Sequence, residues 1–261
     1  MNKLTSSKEM LEDPFVGDHY VQLYQETTEL SEAVYHFITD NLSTSEAIII
    51  VATPSHTKTF TDLLTYKGYD LSELIEKGQL TLLDAEDLLH SFLKKGMPDA
   101  ELFLNTIGPI FRKVFRDYTS ARVYGEMVNI LWQDGEEKAA IALEILWNAL
   151  LRDYKFSLLC AYEIDNLNHA NYTEAFNCVC NTHTHLIPPQ NPHHFEKAIL
   201  DASIELPVDV VEMIYSTSKL GHPTTLMPPA QASLFHLSKT MPNELEQVLT
   251  QVRFDLNSKI Q

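Results

Sequence analysis

Ala47-Ile48-Ile49-Ile50-Val51-Ala52 decides the fold. An unbroken apolar run rich in β-branched residues, with no polar alternation, describes a strand covered on both faces, and such strands belong to parallel sheets enclosed by helices. Upstream, Leu30, Val34, Phe37 and Ile38 recur at helical spacing within residues 26–41, and Leu42-Ser43-Thr44-Ser45-Glu46 breaks that pattern. Downstream the alternation continues. A helix is expected over 56–67 and ends at Gly68, a strand over 79–84, and helices over 85–93 and 98–118. Further strands are expected at 122–125, 156–162 and 184–187, with helices at 136–153 and 172–180 between them. Strands separated by helices of this length pair in parallel through right-handed crossovers, which predicts a three-layer α/β fold.

Pro188-Pro189-Gln190-Asn191-Pro192 is the strongest punctuation in the chain, because consecutive prolines fix φ and remove backbone donors. It divides an α/β domain, residues 1–190, from a helical C-terminal extension, residues 191–261. Helices are expected there over 195–203, 208–220, 229–237 and 242–260, separated by Gly221-His222-Pro223 and Met227-Pro228-Pro229. In the last, Leu245, Val248, Leu249, Val252, Leu256 and Ile260 form an apolar stripe. It packs on the chain's own domain or pairs two copies as a homodimer.

Composition narrows the function classes. Nineteen Lys and Arg against 36 Asp and Glu give a net charge of -17, a field that repels nucleic acid and anionic lipid. Direct nucleic-acid binding is not expected. No apolar run reaches the roughly 18–20 residues of a membrane helix, and residues 1–12 lack a signal-peptide core, so the expected location is cytoplasmic. Three cysteines, Cys160, Cys178 and Cys180, do not make a disulfide framework.

The loop after the decisive strand, Ala52-Thr53-Pro54-Ser55-His56-Thr57-Lys58-Thr59, can be laid on G-x-x-x-x-G-K-[ST]. Both glycines are missing, and β-branched Thr57 is poorly suited to φ > 0. A phosphotransferase also needs a carboxylate at the end of a neighbouring strand to hold Mg²⁺. Ser157-Leu158-Leu159-Cys160-Ala161-Tyr162 ends instead in tyrosine. ATP and Mg²⁺ are therefore not expected as cofactors, although the strand ends would still leave a crevice able to take a ligand.

Charges inside apolar segments mark Arg122, Glu126 and Glu144. An internal Arg–Glu pair accounts for them structurally; the functional alternative places Arg122 and Glu126 at a strand end facing the crevice. Trp132 and Trp147 fit the core. Cys178, Cys180, His183 and His185 offer enough ligands for tetrahedral zinc, but C-x-C and H-x-H spacing does not converge on one helix or strand. No metal site is assigned, with this set as the alternative.

Three passages stand out together: Arg122-Val123-Tyr124-Gly125-Glu126-Met127-Val128-Asn129-Ile130-Leu131-Trp132, Leu143-Glu144-Ile145-Leu146-Trp147-Asn148-Ala149-Leu150, and Leu158-Leu159-Cys160-Ala161-Tyr162. With His19-Tyr20, Ala52-Thr53, His56, Gly68-Tyr69-Asp70, Asp84-Ala85 and His183, they resemble the MEDS domain, the DcmR-type sensory domain of methanogens and methylotrophs, over about residues 15–190. The resemblance implies a RecA- or KaiC-like fold with degenerate nucleotide motifs that binds small molecules such as hydrocarbon derivatives. Such domains are joined to kinases or DNA-binding regions, of which this chain carries no motif, so a separate histidine kinase or regulator is the implied partner.

The expected function is thus noncatalytic sensing, with ligand contacts from Thr53, His56, Lys58, Thr59, Arg122, Glu126 and Tyr162. Residual ATP binding or phosphotransfer through Lys58 and Thr59, and a scaffold whose pocket is filled, are the alternatives.

Overall fold

The computed structural model describes residues 7–40, 42–189, 192–204, 206–220 and 226–258. The Gly221-His222-Pro223 punctuation and the end of the apolar stripe at Ile260 lie outside them.

The chain divides into two compact units, residues 1–163 with 182–187 and residues 164–181 with 188–261. In the first, helix α1 (Ser7–Glu12) precedes strand β1 (His19–Tyr24), helix α2 (Thr27–Thr39) and strand β2 (Glu46–Ala52). Helices α3 (Pro54–Tyr66) and α4 (Leu71–Glu76) lead to β3 (Leu80–Asp84). Helix α5 (Ala85–Phe92), a short hairpin of β4 (Leu93–Lys94) and β5 (Met97–Pro98), and helix α6 (Ala100–Asp117) come next. Strand β6 (Ser120–Gly125), helices α7 (Met127–Gln133) and α8 (Glu137–Asp153), and strand β7 (Phe156–Glu163) complete the main alternation, and β8 (His185–Ile187) returns later.

Six strands form a parallel sheet in the order β3-β2-β6-β7-β1-β8. Side chains of β2 alternate between faces: Ile48, Ile50 and Ala52 join Leu30, Val34 and Phe37 of α2 and Phe60 and Leu64 of α3 in one buried cluster. Across the sheet, Trp147 of α8 meets Phe103 and Phe111 of α6, and Phe111 meets Phe156 of β7. Helices on both faces make the unit a three-layer α/β fold, as the buried β2 run predicts. Trp147 is a core residue and Trp132 is largely buried, also as expected.

Strand β1, helices α1, α4 and α7, and the hairpin are additions to the expected elements. The addition of β1 matters most, because it lies beside β7. The neighbours of β2 are β3 and β6, not the tyrosine-ended β7. A carboxylate does stand at the end of each: Asp84 closes β3, and Glu126 follows β6. The expectation that no such group borders β2 is therefore corrected.

The second unit contains helix α9 (Glu174–Thr182) as far as Asn181, and helices α10 (Pro192–Ser203), α11 (Val208–Leu220), α12 (Pro229–Thr240) and α13 (Pro242–Ser258). Leu245, Val248, Leu249 and Val252 of α13 are buried with Ile199 of α10 and Leu234 and Leu237 of α12. This part of the stripe is covered by the unit's own helices. Among the described residues, no helix is long and apolar enough to cross a membrane.

Candidate functional site

In an open parallel sheet, a crevice forms at the carboxyl ends of two adjacent strands whose connections leave in opposite directions. Strands β2 and β6 meet this condition: from β2 the chain runs outward to β3, and from β6 it runs the other way to β7. After these strands come Thr53, which caps α3, His56 in the first turn of α3, and Glu126.

Glu126 links the two loops. Its carboxylate accepts the Thr53 N–H at 3.0 Å and sits 2.6 Å from His56 Nδ1, with the Thr53 hydroxyl at 3.3 Å. Glu126 is almost wholly buried, whereas the His56 side chain keeps 16% of its exposure. The hydrogen bond to Glu126 pushes the His56 pKa above its ordinary value, against an opposing effect of burial. The result is a histidine–carboxylate pair, its protonated form favoured, at the carboxyl ends of β2 and β6. His56 lies over Phe60, ring centroids 5.7 Å apart, and Phe60 meets Tyr124 edge-on. The pair thus stands on an aromatic floor.

The same geometry occupies three of the amides at the start of α3. Pro54 has no N–H; the Thr53 N–H goes to Glu126, the His56 N–H to the Thr53 hydroxyl at 3.5 Å, and the Thr57 N–H to the Thr53 carbonyl at 2.8 Å. A phosphate-binding helix start presents such groups to the anion. Here a protein carboxylate takes that place. Lys58 points into solvent beside Asp62, and the Thr59 hydroxyl donates to the Ser55 carbonyl within its own helix. Asp84 caps α5, accepting the N–H groups of Glu86 and Asp87 at 2.9 and 3.1 Å.

A second opposed pair, β7 and β1, is bridged from α7. Asn129 accepts the Glu163 N–H at 2.9 Å and donates to the Tyr24 hydroxyl at 3.3 Å. Burial, then the charges of Glu126 and Glu163, push the Tyr24 pKa up.

Arg122 and Tyr162 lie elsewhere. Arg122 is buried near the start of β6, where its guanidinium donates to the carbonyls of Phe37 and Asp40 at 2.9 and 2.6 Å and approaches Glu46 at 3.3 Å. It closes the C-terminal end of α2, whose last carbonyls lack helical partners. The internal Arg–Glu pair exists, with Glu46 as the acid. Tyr162 donates at 2.7 Å to Glu144 of α8, in the layer between sheet and helix. Of the alternative zinc set, Cys178 and Cys180 belong to the helical unit and His183 and His185 to the α/β unit. His183 instead approaches Glu144 at 3.3 Å, and His185 approaches Asp18 at 2.8 Å.

Of the expected ligand contacts, the fold gathers Thr53, His56 and Glu126. Sequence reading did not single out Asn129 or Tyr24, although the polar residue within Met127-Val128-Asn129-Ile130-Leu131 was a usable signal.

Residues 18–184, well over half of the chain, match the model of the family described as MEDS, the methanogen/methylotroph, DcmR sensory domain. No curated protein matches the chain significantly.

Proposed function

This chain belongs to the MEDS family of sensory domains, and from that premise we propose that it is a noncatalytic sensor. In this reading the β2/β6 crevice binds a small oxygenated or hydrocarbon-derived ligand and passes the event to a separate signalling protein, a histidine kinase or regulator. The observation that carries the reading is the His56–Glu126 pair, which joins loops from two strands with opposed connections above the Phe60 ring. With Nδ1 held by Glu126, the His56 Nε2 is the nitrogen left to meet an oxygen of the ligand, while the buried Phe60 supports the His56 ring from below. The occupied amides at the start of α3 and the outward Lys58 support this reading over residual ATP binding.

Thermal stability tests it, because a ligand that binds the native state raises the melting temperature. The protein is heated with ATP–Mg²⁺ and with a panel of short-chain alcohols, aldehydes and carboxylates. Stabilisation by a panel member, unchanged in Lys58→Ala and lost in His56→Ala, is the expected result. Stabilisation by ATP–Mg²⁺ that disappears in Lys58→Ala would sink the sensor reading, and no response to any compound would favour a scaffold.

A further inference from the structure

Beneath the sheet, on the α8 side, four side chains from distant parts of the chain converge: His19 of β1, Glu144 of α8, Cys160 of β7, and His183 just before β8. All are buried, and one ligand atom from each lies within 4.8 Å of those of the others. All four belong to the first compact unit.

We propose that His19, Glu144, Cys160 and His183 bind a divalent transition ion of the Zn²⁺ class in a closed tetrahedral site. The distances between donors carry the argument. His19 Nε2 is 3.3 Å from Cys160 Sγ and 3.4 Å from Glu144 Oε2; Cys160 Sγ is 3.6 Å from Glu144 Oε2, and His183 Nε2 is 3.3 Å from Glu144 Oε1. Bonds of about 2.0–2.3 Å make tetrahedral edges of roughly 3.3–3.8 Å; the three separations among His19 Nε2, Cys160 Sγ and Glu144 Oε2 are of that size, while His183 meets the other carboxylate oxygen and places a donor within 4.8 Å of the rest.

The surrounding groups aim the rings. His19 Nδ1 faces the Asn148 amide oxygen at 3.0 Å, and the Asn148 amide nitrogen donates to the Thr182 carbonyl at 2.9 Å, which fixes which end of the amide is the oxygen. An oxygen can only accept, so the proton of neutral His19 sits on Nδ1 and the Nε2 lone pair points inward. His183 Nδ1 lies 3.2 Å from the Thr182 hydroxyl, leaving its Nε2 toward Glu144. Tyr162 donates to the Glu144 oxygen nearer His183. Outer partners of this kind set tautomer and ring orientation in metal sites.

The charges also balance. Binding releases the Cys160 thiol proton and leaves one thiolate, one carboxylate and two neutral imidazoles, so two negative charges meet a divalent cation. The mixed S, N and O donor set in tetrahedral arrangement suits zinc rather than calcium or magnesium, which take oxygen ligands. The donors are closed off from solvent, so the ion would enter as the chain folds.

The test uses the full chain produced with zinc in the medium, dialysed against a chelator, and assayed for metal by plasma mass spectrometry. About one Zn²⁺ per chain is expected in the wild type and in Cys178→Ala, falling at least about fivefold in Cys160→Ser. Because Cys160→Ser can fail to fold, X-ray absorption on the zinc-loaded wild type is the second measurement. One sulfur and three nitrogen or oxygen neighbours are expected. Zinc absent from the wild type, zinc lost in Cys178→Ala, or a zinc shell with two sulfurs or none would overturn the proposal.

Discussion

Removing the Glu126 carboxylate destabilises the α/β unit by an amount the geometry allows to be worked out. Glu126→Ala deletes the acceptor of the Thr53 N–H, a buried charge-assisted bond of about 1.5–3 kcal/mol. It also deletes the pair with His56, partly screened because His56 reaches solvent, which contributes about 1 kcal/mol. Together the loss is about 3 kcal/mol, or roughly 6–12 °C in melting temperature for a unit of this size. Both tryptophans, Trp132 and Trp147, lie in the first unit, so fluorescence in a urea titration reports on it and avoids treating the two-unit chain as one transition. A double-mutant cycle with His56→Ala isolates the pair. Because the folded pKa of His56 is raised, its stabilising effect is complete below the unfolded value of about 6.5 and is lost as pH rises through the folded value. The coupling is therefore expected to be about 1 kcal/mol near pH 6 and to shrink toward pH 9. Coupling near zero at the lower pH, or growing with pH, would refute the ion-pair assignment.

Two other substitutions separate structural charges from ligand contacts. Arg122→Met leaves the Phe37 and Asp40 carbonyls and Glu46 without their donor and should cost about 3–5 kcal/mol in urea unfolding while leaving ligand responses at His56 intact. Lost ligand response at unchanged stability would return Arg122 to the crevice. Asp84→Ala removes the α5 cap and should cost about 1 kcal/mol, whereas Asp84→Asn, an equally good cap, should be near neutral by the same measurement.

The layers were legible because their signals are local. The Ile48-Ile49-Ile50-Val51 run, and the period of Leu30, Val34 and Phe37, report burial within a few residues of themselves. Strand β1 was not legible, because His19-Tyr20-Val21-Gln22-Leu23-Tyr24 places two polar residues in an otherwise apolar strand, yet every residue is buried. His19 is accommodated by Asn148 and Cys160, and the Gln22 amide donates to the Leu23 carbonyl. Those partners lie in the fold or the backbone, not in the side-chain pattern. The consequence spread outward: without β1, the tyrosine-ended β7 could be taken as the neighbour of β2, and Glu126 was weighed as a partner for Arg122. Likewise, Cys178, Cys180, His183 and His185 stand out by adjacency, while the buried cluster of His19, Glu144 and Cys160 takes only His183 from that run.

Arg122, Glu126 and Glu144 look alike in sequence, as charges set among apolar neighbours, but their surroundings give them different capacities. Arg122 is held by the last carbonyls of α2, so its charge is committed to closing a helix. Glu144 is fully buried and touches His19, His183 and Tyr162; exchanging any partner there requires opening the layer between sheet and α8. An ion at Glu144 would therefore be acquired during folding and held through the life of the protein. Glu126 is paired with the imidazole of His56, in the first turn of α3, which keeps 16% of its exposure. A ligand can compete for that imidazole without disturbing the packed layers, and when it does, the bond between the β2 and β6 loops changes with it. Reversible sensing needs a partner that can be exchanged: Glu46, the comparably exposed partner of Arg122, shares that guanidinium with two backbone carbonyls, whereas His56 is tied to Glu126 through one ring nitrogen and keeps the other for a ligand.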